Sequence, residues 1–593
     1  MKLSKMYTNN DALFEPIVFN DGLNIILGEI RLPENVDKDT HCLGKTVLGQ
    51  LLDFCLLKGK SKNFFLFKHY ETFKGFVFFL EIKTNNNEYL TIKRGVENHT
   101  RVSIIRHTER NQSYVHLPDS EWSHSAFPSF DRAKDALDSL LNLSFIKPWN
   151  YRQSVSYALR SEYDYKDVFR LPKFHYDIDW KPYIAHILGL KAEFVTEQYT
   201  LKKEYENLKN DLKEIEKDIS LFTDSLDKLE GLILIKEEEI EQIKDQLNNF
   251  NFNLEDANIN KELVNELDVK LSKLNKQHYY LAHTIRKIES SLELQKINFN
   301  TSEAKQIFEE AGLLFEGQVK KTYDELIEFN YDITKERRKY LKSELAEKRS
   351  QLEQIEIDIE GINEEREKAL IYLQKAKTIE KYKALSMKLT QKEAKVLLLK
   401  QQEEKLVEYE KLKTSMTLAK DNLDRNERLL AENVKSNQDK NSTYSSIKLH
   451  FNSLIKAMLD KEALISIDIN KEGNLEFKEE IISDDGTQTS ESDGKTYKKL
   501  LCIAFDIAIN EVHLSKKFTH FSFHDGFLEN LDNRKKIKFL KILREITQTG
   551  YQYIGTLIDS DLPNQDTSIL TNEEIILTLH DDVNGTLFKM PGW

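Results

Sequence analysis

The chain has 593 residues with Lys+Arg 86 against Asp+Glu 99, and its net charge of -13 gives no blanket case for nucleic-acid binding, leaving only a local basic patch as a route to it. Charged residues make up 31% and hydrophobic ones 40%, with 9 prolines and 20 glycines, a profile of long helices rather than disorder or an all-β array. The sequence shows neither a membrane-length apolar run nor a signal-like start, so a cytoplasmic protein with no membrane partner is expected, and Cys42, Cys55 and Cys502 form no CxxC pair that would indicate a disulfide framework or a cysteine zinc site.

Residues 1–190 carry β-branched and aromatic runs, GLNIILG, GFVFFLEIK, EYLTIKRGV and RVSIIRHT, which predict the strands of an α/β lobe. The first run ends in Gly28, and Gly44, Lys45 and Thr46 open an apolar-periodic helix, VLGQLLDFCLL. Strand, glycine loop and helix in that order make the context of a phosphate-binding loop. Amides at the helix N-terminus hold phosphate oxygens, the Lys45 ammonium reaches the β and γ phosphates of ATP, and the Thr46 hydroxyl sits on Mg²⁺. Between its glycines the usual motif has four residues. Here there are fifteen, Glu29 to Leu43, and the stretch RLPENVDKDTH within them is polar, as a surface excursion should be.

Residues 191–445 are rich in Lys and Glu and contain no proline. Leu201, Tyr205, Leu208, Leu212, Ile215, Ile219, Phe222, Leu226, Leu229, Ile233, Lys236, Ile240, Ile243 and Leu247 alternate spacings of four and three, and only Lys236 is polar. Such a stripe is too narrow for a lone helix to hide and suits a partner helix. A second run, from Leu341 through Leu345, Leu352, Ile355, Ile359 and Ile362 to Leu373, keeps the same phase, so an antiparallel coiled-coil hairpin is expected. Its ascending arm breaks near 248–262, its tip lies near 297–330, and at roughly 1.5 Å per residue each arm reaches on the order of 150 Å. Lys335, Arg337 and Arg338 in KERRKYLKSELAEKR are the candidate DNA contacts, although Glu344 and Glu347 in the same stretch favour a solvated coiled-coil face.

Residues 446–593 return to an α/β pattern: ALISIDINKEGNLEFKEEI as a hairpin, a helix after Lys495, the strand FTHFSFH, a further helix, the strand YQYIGTLI and a final hairpin through Asn584 and Gly585. The apolar strand FTHFSFH ends at Asp525, with Asn530, Leu531 and Asp532 after it in DGFLENLD. Upstream, SESDGKTYKKLLCIAFD puts Ser492, Asp493 and Gly494 at the start of a helix. A hairpin returning the chain to its starting point forces the two flanking lobes into one composite head.

In these motifs the chain resembles ABC ATPases of the structural maintenance of chromosomes type, whose head is split by a coiled-coil hairpin. DGFLENLD is similar to their DEPTANLD, and the segment around Ser492 and Gly494 matches part of their LSGGQ. The resemblance implies that Asp525 holds Mg²⁺ through water, that Ser492, Gly494 and Asp532 meet ATP on the head of a second copy, and that Gln153 occupies the glutamine-loop position toward Mg²⁺. Most such heads place a glutamate after the strand-end aspartate to activate water. This chain has Gly526, with Glu529 further on, and lacks the histidine that usually follows the next strand, offering Thr556 and Asp559 instead. Slow hydrolysis is therefore expected. More narrowly, ILGE with its polar insertion and LGKT, SDGKTYKKLLCIAFD and FHDG resemble the ATPases of bacterial Lamassu-like defence systems, which implies DNA sensing, a small partner subunit and a nuclease or other toxic effector. A stand-alone DNA repair ATPase and a scaffold with a degenerate nucleotide site are the alternative functions.

Overall fold

Apolar runs too continuous for one-sided burial put a parallel sheet at the heart of the head. The computed structural model describes residues 1–32, 43–124, 127–219, 225–250, 257–294, 318–371, 378–482, 494–582 and 584–590. The chain divides into two compact units, a head of Met1–Glu206 with Leu418–Trp593 and a helical unit of Asn207–Thr417.

In the head, β1 (Lys2–Thr8), β2 (Ile17–Val18), β4 (Val77–Lys83), β5 (Tyr89–Gly95) and β6 (Val102–His107) form an antiparallel sheet in the order β2-β1-β4-β5-β6. Strands β3 (Leu23–Glu29), β7 (Leu159–Arg160), β10 (Phe521–His524), β11 (Gln552–Ile558) and β12 (Ile575–His580) form a second sheet in the order β12-β3-β11-β10-β7, parallel at every pairing. A separate hairpin pairs β8 (Glu462–Ile469) with β9 (Leu475–Ile482).

The parallel sheet draws strands from both ends of the chain. Its register sets Gly28 beside Ile558, Gly555 beside His524, and His524 beside Arg160. The carboxyl ends of β3, β11, β10 and β7 therefore share one edge, the place where open α/β sheets bind ligands. Gln552 links this sheet to the other, accepting from the Leu3 amide and donating to the Leu3 carbonyl, both at 2.8 Å.

One expected element does not form among the described residues. The last strand has no hairpin partner through Asn584 and Gly585: β12 joins β3 in parallel instead. Beyond the turn the chain is claimed by the head core. The Leu587 amide donates to Leu43 O (3.1 Å) and that of Lys589 to Leu13 O (2.9 Å), while Phe588 packs among Phe14, Phe65, Phe73, Phe76 and Phe78.

The arm-forming helices are Ala192–Ile219, Leu226–Asn248, Ala257–Leu294, Gln318–Ile371 and Thr378–Ser436. Within the helical unit the pairing is antiparallel. Asp268 meets Arg366 at 2.7 Å, His278 meets Glu356 at 3.0 Å and Glu289 meets Arg349 at 2.5 Å. Leu229, Ile233 and Ile240 of the predicted stripe cluster with Val396 and Leu406, and Lys236 turns aside to pair with Glu239. The ascending arm leaves its helix after Asn248 and resumes at Ala257. Of the expected tip, 318–330 lies inside a helix, and 297–317 lies outside the described residues.

Candidate functional site

The shared edge brings the two ends of the chain into contact. Thr46 Oγ1 donates to Asp525 Oδ2 at 2.6 Å across 479 positions of sequence. Thr556, at the edge of β11, donates its hydroxyl proton to Asp525 Oδ1 and accepts from the Gly526 amide at 2.9 Å. Both oxygens of the buried carboxylate are thereby fixed by hydroxyls.

Gly44 caps the helix Lys45–Cys55 in the left-handed region, φ 101, where a side chain is strained. Leu587 presses on the same spot, since a Cβ on Gly44 would stand 2.7 Å from that of Leu587. The C-terminal segment thus braces the loop. Lys45 lies against Gly28, whose Cβ, if present, would sit 3.3 Å from Lys45 Cδ. Burial lowers the Lys45 pKa, while Asp525, Asp561, Glu529 and Asp559 work to raise it. A half-buried ammonium beside a helix N-terminus suits a bound triphosphate, and the negative charge of the neighbouring carboxylates calls for a cation to accompany it.

Magnesium fits the same residues. Thr46 and Asp525 are hard oxygen donors of the kind that hold Mg²⁺ together with phosphate oxygens and water. No group of three or more His, Cys, Asp or Glu among the described residues could hold a metal by protein ligands alone. A cavity of about 460 Å³ opens beside Thr46, lined also by Gln50, Ser161, Tyr163, Asp164 and Lys173.

Gln153 is not brought to this edge. It lies in the helix Tyr151–Ala158, and its amide donates to Asp179 O at 3.0 Å. At the end of β7 the Asp525 amide donates to Arg160 O at 3.2 Å, and Ser161, just beyond the strand, makes a capping interaction with Asp164. Sequence reasoning missed this because β7 is only two residues long. Ser492 lies outside the described residues, and Gly494 caps the helix Lys495–Val512. Asp532 caps the helix Asn533–Thr547, accepting from the Arg534 amide at 2.9 Å, and that bond with the neighbouring guanidinium lowers its pKa. The side chains of Lys335 and Arg337 lie outside the described residues, and Arg338 is exposed.

Two further groups carried no legible signal. Arg160, fully buried, pairs with Asp506 at 2.6 and 3.0 Å, and His524 adds a 3.1 Å bond to Asp506. Burial opposes the Arg160 charge, yet Asp506 more than restores it and raises the pKa. This triad ties the helix Lys495–Val512 to β7 and β10. Lys499, from the same helix, donates to Gly526 O at 2.6 Å and to Glu529 Oε2 at 2.7 Å.

Residues 454–591 match the family model described as "Uncharacterised protein conserved in bacteria (DUF2326)". No curated protein matches the chain. Among solved structures, the Smc head domain with a coiled coil and joint from Pyrococcus yayanosii is 13% identical over 95% of this chain and 94% of that one, with a TM-score of 0.36. The Smc head with an extended coiled coil bound to the C-terminal domain of ScpA, from Pyrococcus furiosus, is 11% identical over 95% and 91%, with a TM-score of 0.28. The SMC head domain from Thermotoga maritima is 18% identical over 24% and 46%, with a TM-score of 0.17. Among the described residues no helix is long and apolar enough to cross a membrane.

Proposed function

We propose that the head binds ATP with Mg²⁺ and uses it as a clamp between two copies of the chain. The observation that supports this most is the Thr46–Asp525 bond, which joins the end of a phosphate-type loop to a strand-end carboxylate 479 residues away. Gly28, Gly44 and Lys45 would hold the phosphates, and Thr46 with Asp525 would hold Mg²⁺, whose charge would offset that of the phosphates. Gln153, engaged with Asp179, has no part in this arrangement.

Ser492, Gly494 and Asp532 would face the nucleotide of the second head. A serine hydroxyl and amides at a helix start suit a phosphate presented from outside. Closing two heads requires a ligand that binds the closed state better than the open one, and nucleotide buried between them meets that requirement. Residue motifs shared with Lamassu-like ATPases support a role as a DNA-sensing subunit of a bacterial defence complex. In that role Lys335, Arg337 and Arg338 would touch DNA, and a small partner subunit and a nuclease or other toxic effector would respond to closure. Light scattering tests the clamp: mass should double with ATP and Mg²⁺ and stay monomeric for Lys45→Ala. An unchanged mass in both would overturn it. Purification together with the products of neighbouring genes, imaged with DNA ends, tests the defence assignment, which fails if neither partner nor DNA is retained.

A further inference from the structure

We infer that Glu529 is the carboxylate that accepts the proton of the attacking water, in place of the missing acid at position 526, and that Lys499 positions it. This rests on the ATP reading above and adds the catalytic residue to it. Gly526 has φ 63, and a Cβ built on it would lie 2.7 Å from Glu529 Oε2 and closer still to Oε1 and Cδ. The carboxyl of Glu529 therefore occupies the space into which a residue-526 side chain would project. The turn that brings it there is closed by the Glu529 amide donating to Gly526 O at 3.2 Å. An acid three positions late in sequence is delivered to the position next to Asp525 in space.

Glu529 is also not the freely solvated loop acid that its sequence context suggests. Lys499, with its side chain 10% exposed, holds Oε2 at 2.7 Å, while the Glu529 side chain remains 35% exposed. One oxygen is thus anchored, and the carboxylate keeps access to water. Glu529 also acts electrostatically on both Lys45, whose charge it favours, and Asp561, whose carboxyl it helps push up. Lys499 is fixed in turn by Gly526 O and by the face of Tyr165 at 5.2 Å, and the Tyr165 hydroxyl donates to Asp525 O at 3.2 Å.

In the reaction, a water oxygen forms a bond to the γ phosphorus while the bond from that phosphorus to the β–γ bridging oxygen breaks. The bridging oxygen leaves with its electron pair on ADP, and the water proton passes to Glu529 and then to solvent. A positioned general base contributes about 10² to 10⁴ in rate. Lys499 lies five residues after Gly494 on one helix, so movement of that helix against a second head would shift the base.

The test is single-turnover hydrolysis of limiting radiolabelled ATP by the full chain, alongside equilibrium binding of the same nucleotide and identification of what the protein retains. For Glu529→Gln, the expected result is a rate loss of about 10²-fold or more. Binding should stay within about threefold of wild type, and ATP should be retained where wild type retains ADP. Thermal unfolding establishes that the isosteric variant is folded. Lys499→Met should lower the single-turnover rate without weakening ATP binding, and Lys499→Arg should recover much of it, which loss of a merely structural contact would not produce. Hydrolysis by Glu529→Gln at the wild-type rate, or wild-type protein that binds ATP and never cleaves it, overturns the assignment and leaves the ATP site standing. Wild-type protein that binds no ATP overturns the ATP reading, and the assignment with it.

Discussion

At Gly526 a single added methyl group meets both an unfavourable backbone and a filled space. Its positive φ disfavours any side chain, and the Glu529 carboxyl fills the space beside it, so Gly526→Ala should cost about 1–3 kcal/mol in urea unfolding. A cost below a few tenths of a kcal/mol would mean that the turn relaxes freely. His513 sets a pH dependence. Burial lowers its pKa from 6.5 to about 4, against a hydrogen bond to Ile187 O at 2.8 Å that favours the charged form. Below pH 6.5 the unfolded chain takes up a proton that the folded chain refuses until about pH 4. Stability is therefore unaffected above pH 6.5 and should fall by about 1.4 kcal/mol per pH unit across that window. Unfolding at pH 7 and pH 5 should show a smaller drop for His513→Gln than for wild type. At this scale the sequence revealed chemistry better than partners. Lys45, Thr46 and Asp525 stood out by motif, whereas Arg160 and Lys499 are ordinary residue types whose meaning lies in what folding sets beside them.

Among elements, the strands that could be recognised were those with enough residues to show a pattern. GLNIILG, GFVFFLEIK and YQYIGTLI were readable as β3, β4 and β11, because buried strands concentrate β-branched and aromatic residues. The two-residue β7 has no such length, and no pattern in the sequence announces it between the helix that carries Gln153 and Ser161. The same strand matters energetically. Arg160 and Asp506 are a buried pair, and removing one partner leaves an uncompensated charge, so Asp506→Ala should destabilise the head by about 3–5 kcal/mol. Asp506→Asn, which keeps hydrogen-bonding capacity, should cost less. Chemical denaturation separates the two, and equal costs would show that packing rather than charge governs the site. In the arms, Ile233 is buried against the opposing helix, and Ile233→Ala should cost about 2–4 kcal/mol of the helical transition. Ala at the exposed neighbour Leu234 should cost little.

For the whole molecule, the legible feature was the stripe of apolar residues with a 3.5 period, because it has no use unless another helix covers it. From that stripe followed a chain folded back on itself and lobes built from both ends. The parallel sheet β12-β3-β11-β10-β7 has that construction, with β3 and β7 from one side of the arms and β10, β11 and β12 from the other. Less legible was the part played by the last residues. Leu587 and Phe588 were expected in a hairpin, and they instead brace Gly44 and fill an aromatic cluster, a contact between distant segments that no local pattern encodes. The central claim is that Lys45 and Thr46 near one end and Asp525 near the other form a single nucleotide site. Equilibrium binding of a fluorescent ATP analogue, with and without Mg²⁺, tests it most directly. Wild type should bind more tightly with Mg²⁺, Lys45→Ala should lose binding, and Asp525→Asn should lose only the Mg²⁺-dependent gain of about tenfold or more. Binding by Asp525→Asn that still strengthens with Mg²⁺ as wild type does, or no binding by wild type, would contradict the account.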